Sequence, residues 1–138
     1  MAVREILLDT NAYVAFKRGD SDAVAIIRHV PLIGINSIVL GELLGGFAVG
    51  AREAPNRRDL EQFLDSDRVK LLSVDNSTAG YYATVYRTLK HRGYPIPTND
   101  MWIAATALQH GLALFSYDGH FQAVDGLVVG SRLADLMF

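Results

Sequence analysis

Apolar residues in this chain occur in two patterns: short unbroken runs, and longer segments where they recur every three or four positions. The runs are Ile6-Leu7-Leu8, Leu32-Ile33-Gly34-Ile35, Val69 to Val74 and Leu112 to Ser116, with a weaker one at Leu127-Val128-Val129. Such runs, bounded by polar and turn residues, predict strands buried on both faces, as in a parallel sheet. The periodic segments predict helices. The first spans Ala12 to Arg18 and stops at Gly19; the second opens at Asp20 or Ser21 and runs to Arg28 or His29, with Ala23, Ile26 and Ile27 on one face and Pro31 beyond it. Asn36-Ser37 caps a third helix, Ile38 to Phe47, before a stretch loosened by Gly45, Gly46 and Gly50. Pro55-Asn56 starts a fourth, with Leu60, Phe63 and Leu64 inward and charges outward.

Asn76 or Ser77 opens a long helix to Arg92, in which Ala79, Tyr82, Ala83 and Tyr86 share a face. A stiff connection, Gly93-Tyr94-Pro95-Ile96-Pro97, leads to a helix over Asp100 to His110, capped by Thr98 or Asn99, apolar on nearly all sides and ended by Gly111. Ser131 to Phe138 forms a short tail. Strands and helices alternate without repeats or an internal linker. The pattern is that of one three-layer α/β domain, 1–138, around a parallel sheet.

Composition narrows the class. Half of the 138 residues are hydrophobic and a fifth are charged, as in ordinary globular proteins. With no cysteine there is neither a disulfide framework nor a thiolate metal site. No secretory signal and no apolar stretch of membrane-spanning length is visible, so the expectation is a soluble, cytoplasmic protein. The net charge of −2 announces no basic nucleic-acid-binding field. Setting aside the acids Asp9, Glu42, Asp100 and Asp118 leaves 13 basic residues against 11 acids, a mildly basic body.

Those four acids break the usual surface pattern. Asp9 directly follows a buried strand, at the edge where open α/β sheets bind ligands. Glu42 interrupts an apolar helix, Asp100 opens the most apolar helix of the chain, and Asp118 lies just past the fourth strand. Each has an ordinary alternative role: Asp9 as a helix cap, Glu42 as an exposed helical residue, Asp100 as a complement to the helix dipole, Asp118 as a turn residue before Gly119. Together, at one sheet edge, they form an oxygen-donor set suited to Mg²⁺ or Mn²⁺. His29, His91, His110 and His120 are scattered singly, and no catalytic role is expected of them. Phosphate-loop, dinucleotide and serine-hydrolase motifs are absent from the sequence. Arg87, Lys90 and Arg92, just upstream of Asp100, form a candidate RNA-contact group; Arg52, Arg57 and Arg58 form a second.

Four stretches resemble the PIN-domain family, and within it the VapC-type toxins of toxin–antitoxin pairs: Leu7-Leu8-Asp9-Thr10-Asn11, Ser37 through Glu42-Leu43, Pro97-Thr98-Asn99-Asp100 through Ala107, and Leu114-Phe115-Ser116 through Asp118 and Phe121. Ser116 stands where the family more often has Thr. The resemblance implies a five-stranded parallel sheet flanked by helices, with Asp9, Glu42, Asp100 and Asp118 as catalytic, metal-holding acids for Mg²⁺ or Mn²⁺. It places Thr10, Asn11 and Ser116 as polar support around the metal. It further implies a metal-dependent endoribonuclease in which a metal-activated water attacks the RNA phosphodiester, a homodimer, and neutralisation by a VapB-type antitoxin. The competing readings are an inactive PIN-like RNA- or protein-binding module and a PIN nuclease acting on another nucleic acid. Phosphotransfer of the haloacid-dehalogenase type fits less well, because a second Asp is wanted where Asn11 stands.

Overall fold

The computed structural model describes residues 2–138. Five strands, β1 (Ile6–Leu8), β2 (Ile33–Asn36), β3 (Val69–Leu72), β4 (Ala113–Phe115) and β5 (Val129–Gly130), pair in parallel in the order β3-β2-β1-β4-β5. The connections carry helices α1 (Thr10–Lys17), α2 (Ser21–His29), α3 (Ser37–Val49), α4 (Glu53–Leu64), α5 (Asn76–Arg92) and α6 (Thr98–His110). Two 3-10 turns, Gly119–Ala123 and Leu133–Leu136, complete the chain.

Every residue of β1, β2 and β4 is buried, which is why these strands read as unbroken apolar runs rather than alternating ones. β1 is central, with Ile6 level with Ile33 on one side and Ala113 on the other, and Leu8 level with Phe115. The chain leaves β1 toward β2 and returns to its far side as β4, so the strand order reverses between β1 and β4. The carboxyl ends of those two strands therefore border a crevice. Asp9 follows β1 and Asp118 follows β4 by a short turn.

Several boundaries differ from the sequence expectation, each for a local reason. α1 begins at Thr10 because Asp9 itself is its N-cap. Asn36 ends β2 and also caps α3, its Oδ1 accepting from the Val39 amide at 2.9 Å while its Nδ2 donates to Thr106 at 3.0 Å. Gly45 and Gly46 do not end α3, which continues to Val49. α4 starts at Glu53, so Pro55 lies in its first turn, where a missing N–H costs nothing. Asp75, rather than Asn76 or Ser77, caps α5 through a reciprocal pair of hydrogen bonds with Thr78. The face of α5 shared by Ala79, Tyr82, Ala83 and Tyr86 is turned mostly outward. Thr78, Val85 and Leu89 are buried and Tyr82 stacks on Trp102, whereas Ala79, Ala83 and Tyr86 are exposed. Gly111, with φ of 64°, terminates α6 in the left-handed conformation that glycine adopts without strain.

One core feature carries a stability prediction. Tyr13 packs edge-on against Phe63 with its ring buried, and its hydroxyl has no hydrogen-bond partner. An unsatisfied buried hydroxyl costs about 1–3 kcal/mol. Tyr13→Phe is therefore expected to stabilise the protein by about 1 kcal/mol, read as a raised denaturant midpoint. A lowered midpoint would mean that the hydroxyl is satisfied after all.

Candidate metal centre

Asp9 sits at the end of β1 with only 5% of its surface exposed. Its Oδ1 accepts from the Thr10 amide at 2.9 Å and its Oδ2 from the Ser116 hydroxyl at 2.7 Å. Ser116, itself buried, also accepts from the Asp118 amide at 3.0 Å, so one hydroxyl ties the acid after β1 to the loop after β4. Asn11 supports the same loop: its Nδ2 reaches Ser116 at 3.5 Å and its Oδ1 accepts from the Tyr117 amide at 3.1 Å.

Glu42 projects from α3 and is more exposed. Two neighbours of the other acids hold it. The Thr10 hydroxyl, beside Asp9, donates to Glu42 Oε1 at 2.6 Å, and Asn99, beside Asp100, donates to Oε2 at 3.3 Å. Thr10 thus orients an acid rather than standing beside Asp9 alone. Asn99, read from sequence as a possible helix cap, instead joins the site; the cap position of α6 is Pro97.

Asp100 lies in the first turn of α6, and its Oδ2 is 3.3 Å from His120 Nδ1. The same ring nitrogen is 3.1 Å from Asp118 Oδ1. Asp100, Asp118 and His120 each place a ligand atom within 4.8 Å of the others. Asp9 and Glu42 stand outside this innermost set and connect to it through Ser116 and Asn99. His120 is the residue that sequence reasoning passed over. The signal was its place two positions after Asp118, where a tight turn returns its side chain to the acid.

Electrostatics suit a cation. Burial pushes the Asp9 carboxyl up to about 6 from its ordinary 3.8, against the Ser116 and Thr10 hydrogen bonds, and the charges of Asp100 and Glu42 add to the rise. Burial likewise raises Asp100, opposed by the His120 hydrogen bond and reinforced by the charges of Asp118 and Glu42. A divalent cation reverses both effects, since it favours the charged carboxylates that burial and mutual repulsion disfavour. Hard oxygen donors in this number match Mg²⁺ or Mn²⁺. The residues present fit the ion.

The basic group is only partly free. Arg92 pairs with Asp125, whereas Arg87 and Lys90 are exposed. Residues 93–97 return the chain directly from the end of α5 to the start of α6, so these side chains lie at the same end of the helix pair as Asp100.

Residues 6–127 match the family model described as PIN domain. The chain is 32% identical over 132 residues to Ribonuclease VapC4 of Mycobacterium tuberculosis, covering 94% of this chain and 98% of that protein. Among solved structures it resembles the crystal structure of VapBC2 from Rickettsia felis bound to a promoter DNA fragment, with a TM-score of 0.81 and 25% identity over 91% of this chain and 96% of the other. It also resembles FitAcB from Neisseria gonorrhoeae, with a TM-score of 0.73 and 30% identity over 90% and 95% of the two chains. A central parallel sheet, acids gathered at its strand ends and a sequence match over most of the length agree: this chain belongs to the PIN domain family.

Proposed function

We propose that this protein is a Mg²⁺- or Mn²⁺-dependent endoribonuclease toxin of the VapC type, neutralised by a VapB-type antitoxin and acting on RNA in the cytoplasm as a homodimer. The observation that carries the reading is the convergence of Asp9, Glu42, Asp100 and Asp118 from four separate elements on one sheet edge, in a chain whose relatives include ribonucleases. A solved relative at 27% identity, a member of the VapBC family of toxin–antitoxin systems, supports the antitoxin partner. The whole chain, 1–138, acts as one catalytic domain.

Asp100 and Asp118 hold the ion from α6 and from the loop after β4, with Asp9 and Glu42 completing the acidic wall. Ser116 and Asn11 fix the loop that carries Asp118, and Thr10 and Asn99 aim Glu42. When bound, the divalent ion would supply Lewis acidity toward a phosphoryl oxygen and make a water easier to deprotonate for attack on phosphorus. Arg87 and Lys90 meet the RNA backbone beside the acids.

The deciding experiment uses the purified chain, freed of any partner, with total cellular RNA in the presence of Mg²⁺ or Mn²⁺ and again with excess chelator. Cleavage that requires the metal is expected; RNA left intact under all conditions overturns the reading. Growth arrest on expression, relieved by co-expressing the cognate antitoxin, tests the toxin role separately. The RNA contact has its own readout. Arg87→Gln/Lys90→Gln is expected to weaken RNA binding and to flatten the slope of log affinity against log salt by about 1–2, the change for one or two lost phosphate contacts. An unaltered slope removes this group from the interface.

A further inference from the structure

His120 lies between two acids, and its ring's hydrogen bond to Asp100 leaves its equally close approach to Asp118 unaccounted for. Its Nδ1 is 3.3 Å from Asp100 Oδ2 and 3.1 Å from Asp118 Oδ1. A ring nitrogen carries at most one hydrogen, so two carboxylate oxygens compete for a single donor, and a neutral ring with Nδ1 unprotonated turns a lone pair toward both. A shared cation satisfies all three atoms. The spacing agrees with this: donors on adjacent vertices of an octahedron with bonds of about 2.1 Å stand about 3.0 Å apart.

The local backbone fixes the ring there. Asp118 caps the 3-10 turn Gly119–Ala123, its Oδ1 accepting from the His120 amide at 2.9 Å. The next residue, Phe121, is fully buried and pins the turn to the core. Acid and imidazole are therefore held on one rigid turn, and α6 brings Asp100 to them.

We propose that His120 is a direct nitrogen ligand of the divalent ion, beside Asp100 and Asp118, and that it biases the centre toward Mn²⁺ over Mg²⁺. The inference rests on the metal-dependent reading above and concerns how the ion is held. Mg²⁺ favours oxygen donors and keeps most of its water. Imidazole is a better ligand for first-row transition ions, among which Mn²⁺ also accepts a carboxylate-rich site. An all-carboxylate centre discriminates weakly between the two; one nitrogen in the set tips the balance.

The test is Mn²⁺ binding to the full chain, followed by electron paramagnetic resonance. Spin-echo modulation from a directly bound nitrogen is expected in the wild type, changed by ¹⁵N-histidine labelling and lost in His120→Gln. The Mn²⁺ affinity of His120→Gln is expected to fall at least about tenfold, the size seen when groups supporting a metal site are altered. Mg²⁺ affinity, measured by competition, should move much less. The side chain is 46% exposed, so His120→Gln is expected to fold, and unchanged circular dichroism checks it. His120→Phe serves as a second variant without a donor. Bound Mn²⁺ with no nitrogen coupling, or equal losses for both ions in His120→Gln and His120→Phe, overturns the proposal while leaving a metal-dependent nuclease intact. Failure of the wild type to bind either ion overturns both.

Discussion

Asp100→Asn is expected to lower the rate of metal-dependent RNA cleavage at least about a thousandfold, equivalent to about 4 kcal/mol of lost transition-state stabilisation. The size follows from where the side chain stands. Asp100 belongs to the innermost donor group with Asp118 and His120, and its helix brings it against the loop after β4. Replacing a charged ligand with a neutral amide weakens the hold on the ion and removes negative charge that balances it, while preserving shape. Asp100 makes no capping hydrogen bond to α6, and asparagine keeps its shape, so the fold should survive. The carboxyl is already raised by burial and by neighbouring acids, and its neutralisation relieves repulsion in the metal-free protein. Near-wild-type melting with a collapsed cleavage rate is the expected pair of results. A variant that cleaves as fast as wild type at saturating Mg²⁺ removes Asp100 from the catalytic set.

The loss must also separate metal binding from chemistry. If Asp100 acts mainly by holding the ion, raising the metal concentration recovers part of the rate in Asp100→Asn. If it acts on the bound substrate or the attacking water, the deficit persists at saturation. Single-turnover cleavage across a metal titration distinguishes these roles.

What the sequence disclosed, and what it hid, follow from the range over which each feature is determined. β1 and β4 were visible because burial on both faces leaves an uninterrupted apolar run, a signal contained in a few adjacent residues. α6 was visible for the same reason, since Met101, Ile103, Ala104, Ala105 and Ala107 are buried around its circumference. The four acids stood out because their immediate neighbours are apolar. Which way the face shared by Ala79, Tyr82, Ala83 and Tyr86 on α5 turns was not legible, because small and amphipathic residues say little about direction. Trp102 on α6 decides the matter by stacking against Tyr82. Asn99 and His120 escaped for a related reason. Each is a common polar residue near a turn, and only the packing of α3 against α6, and of the 3-10 turn against the core, brings Glu42 and Asp100 within their reach. Arg68 shows the same limit: nothing beside it in the sequence signals that it donates to the Ile27 and Val30 carbonyls at the end of α2. Chemistry assembled from distant segments is legible in sequence only where a residue violates its local surroundings.

Asp9→Asn is expected to stabilise the metal-free protein and to weaken its response to metal, so that the order of stabilities reverses when metal is added. Burial holds the folded-state carboxyl at about 6 against an ordinary 3.8. Well below pH 3.8 the carboxyl is mostly protonated in both states and there is no penalty. As pH rises from there to about 6 the unfolded chain gives up its proton while the folded chain retains it, so this group's contribution to stability falls with rising pH and levels off above about 6. The full penalty is at most about 3 kcal/mol. Asparagine forfeits charge-assisted bonds from Ser116 and Thr10, which leaves an expected gain of about 1–2 kcal/mol at pH 7.5 with chelator, shrinking toward zero at pH 4. Metal acts in the opposite direction. At about 100 times its dissociation constant, an ion that binds only the folded state adds about 2.7 kcal/mol to the wild type and far less to a variant lacking a charged ligand. Denaturant melts of both proteins at pH 4 and 7.5, with chelator and with saturating Mn²⁺, therefore give curves that cross. If Asp9→Asn is the less stable protein at pH 7.5 with chelator, burial is not the dominant influence on this carboxyl. If it gains as much from Mn²⁺ as the wild type does, Asp9 is not among the groups that hold the ion.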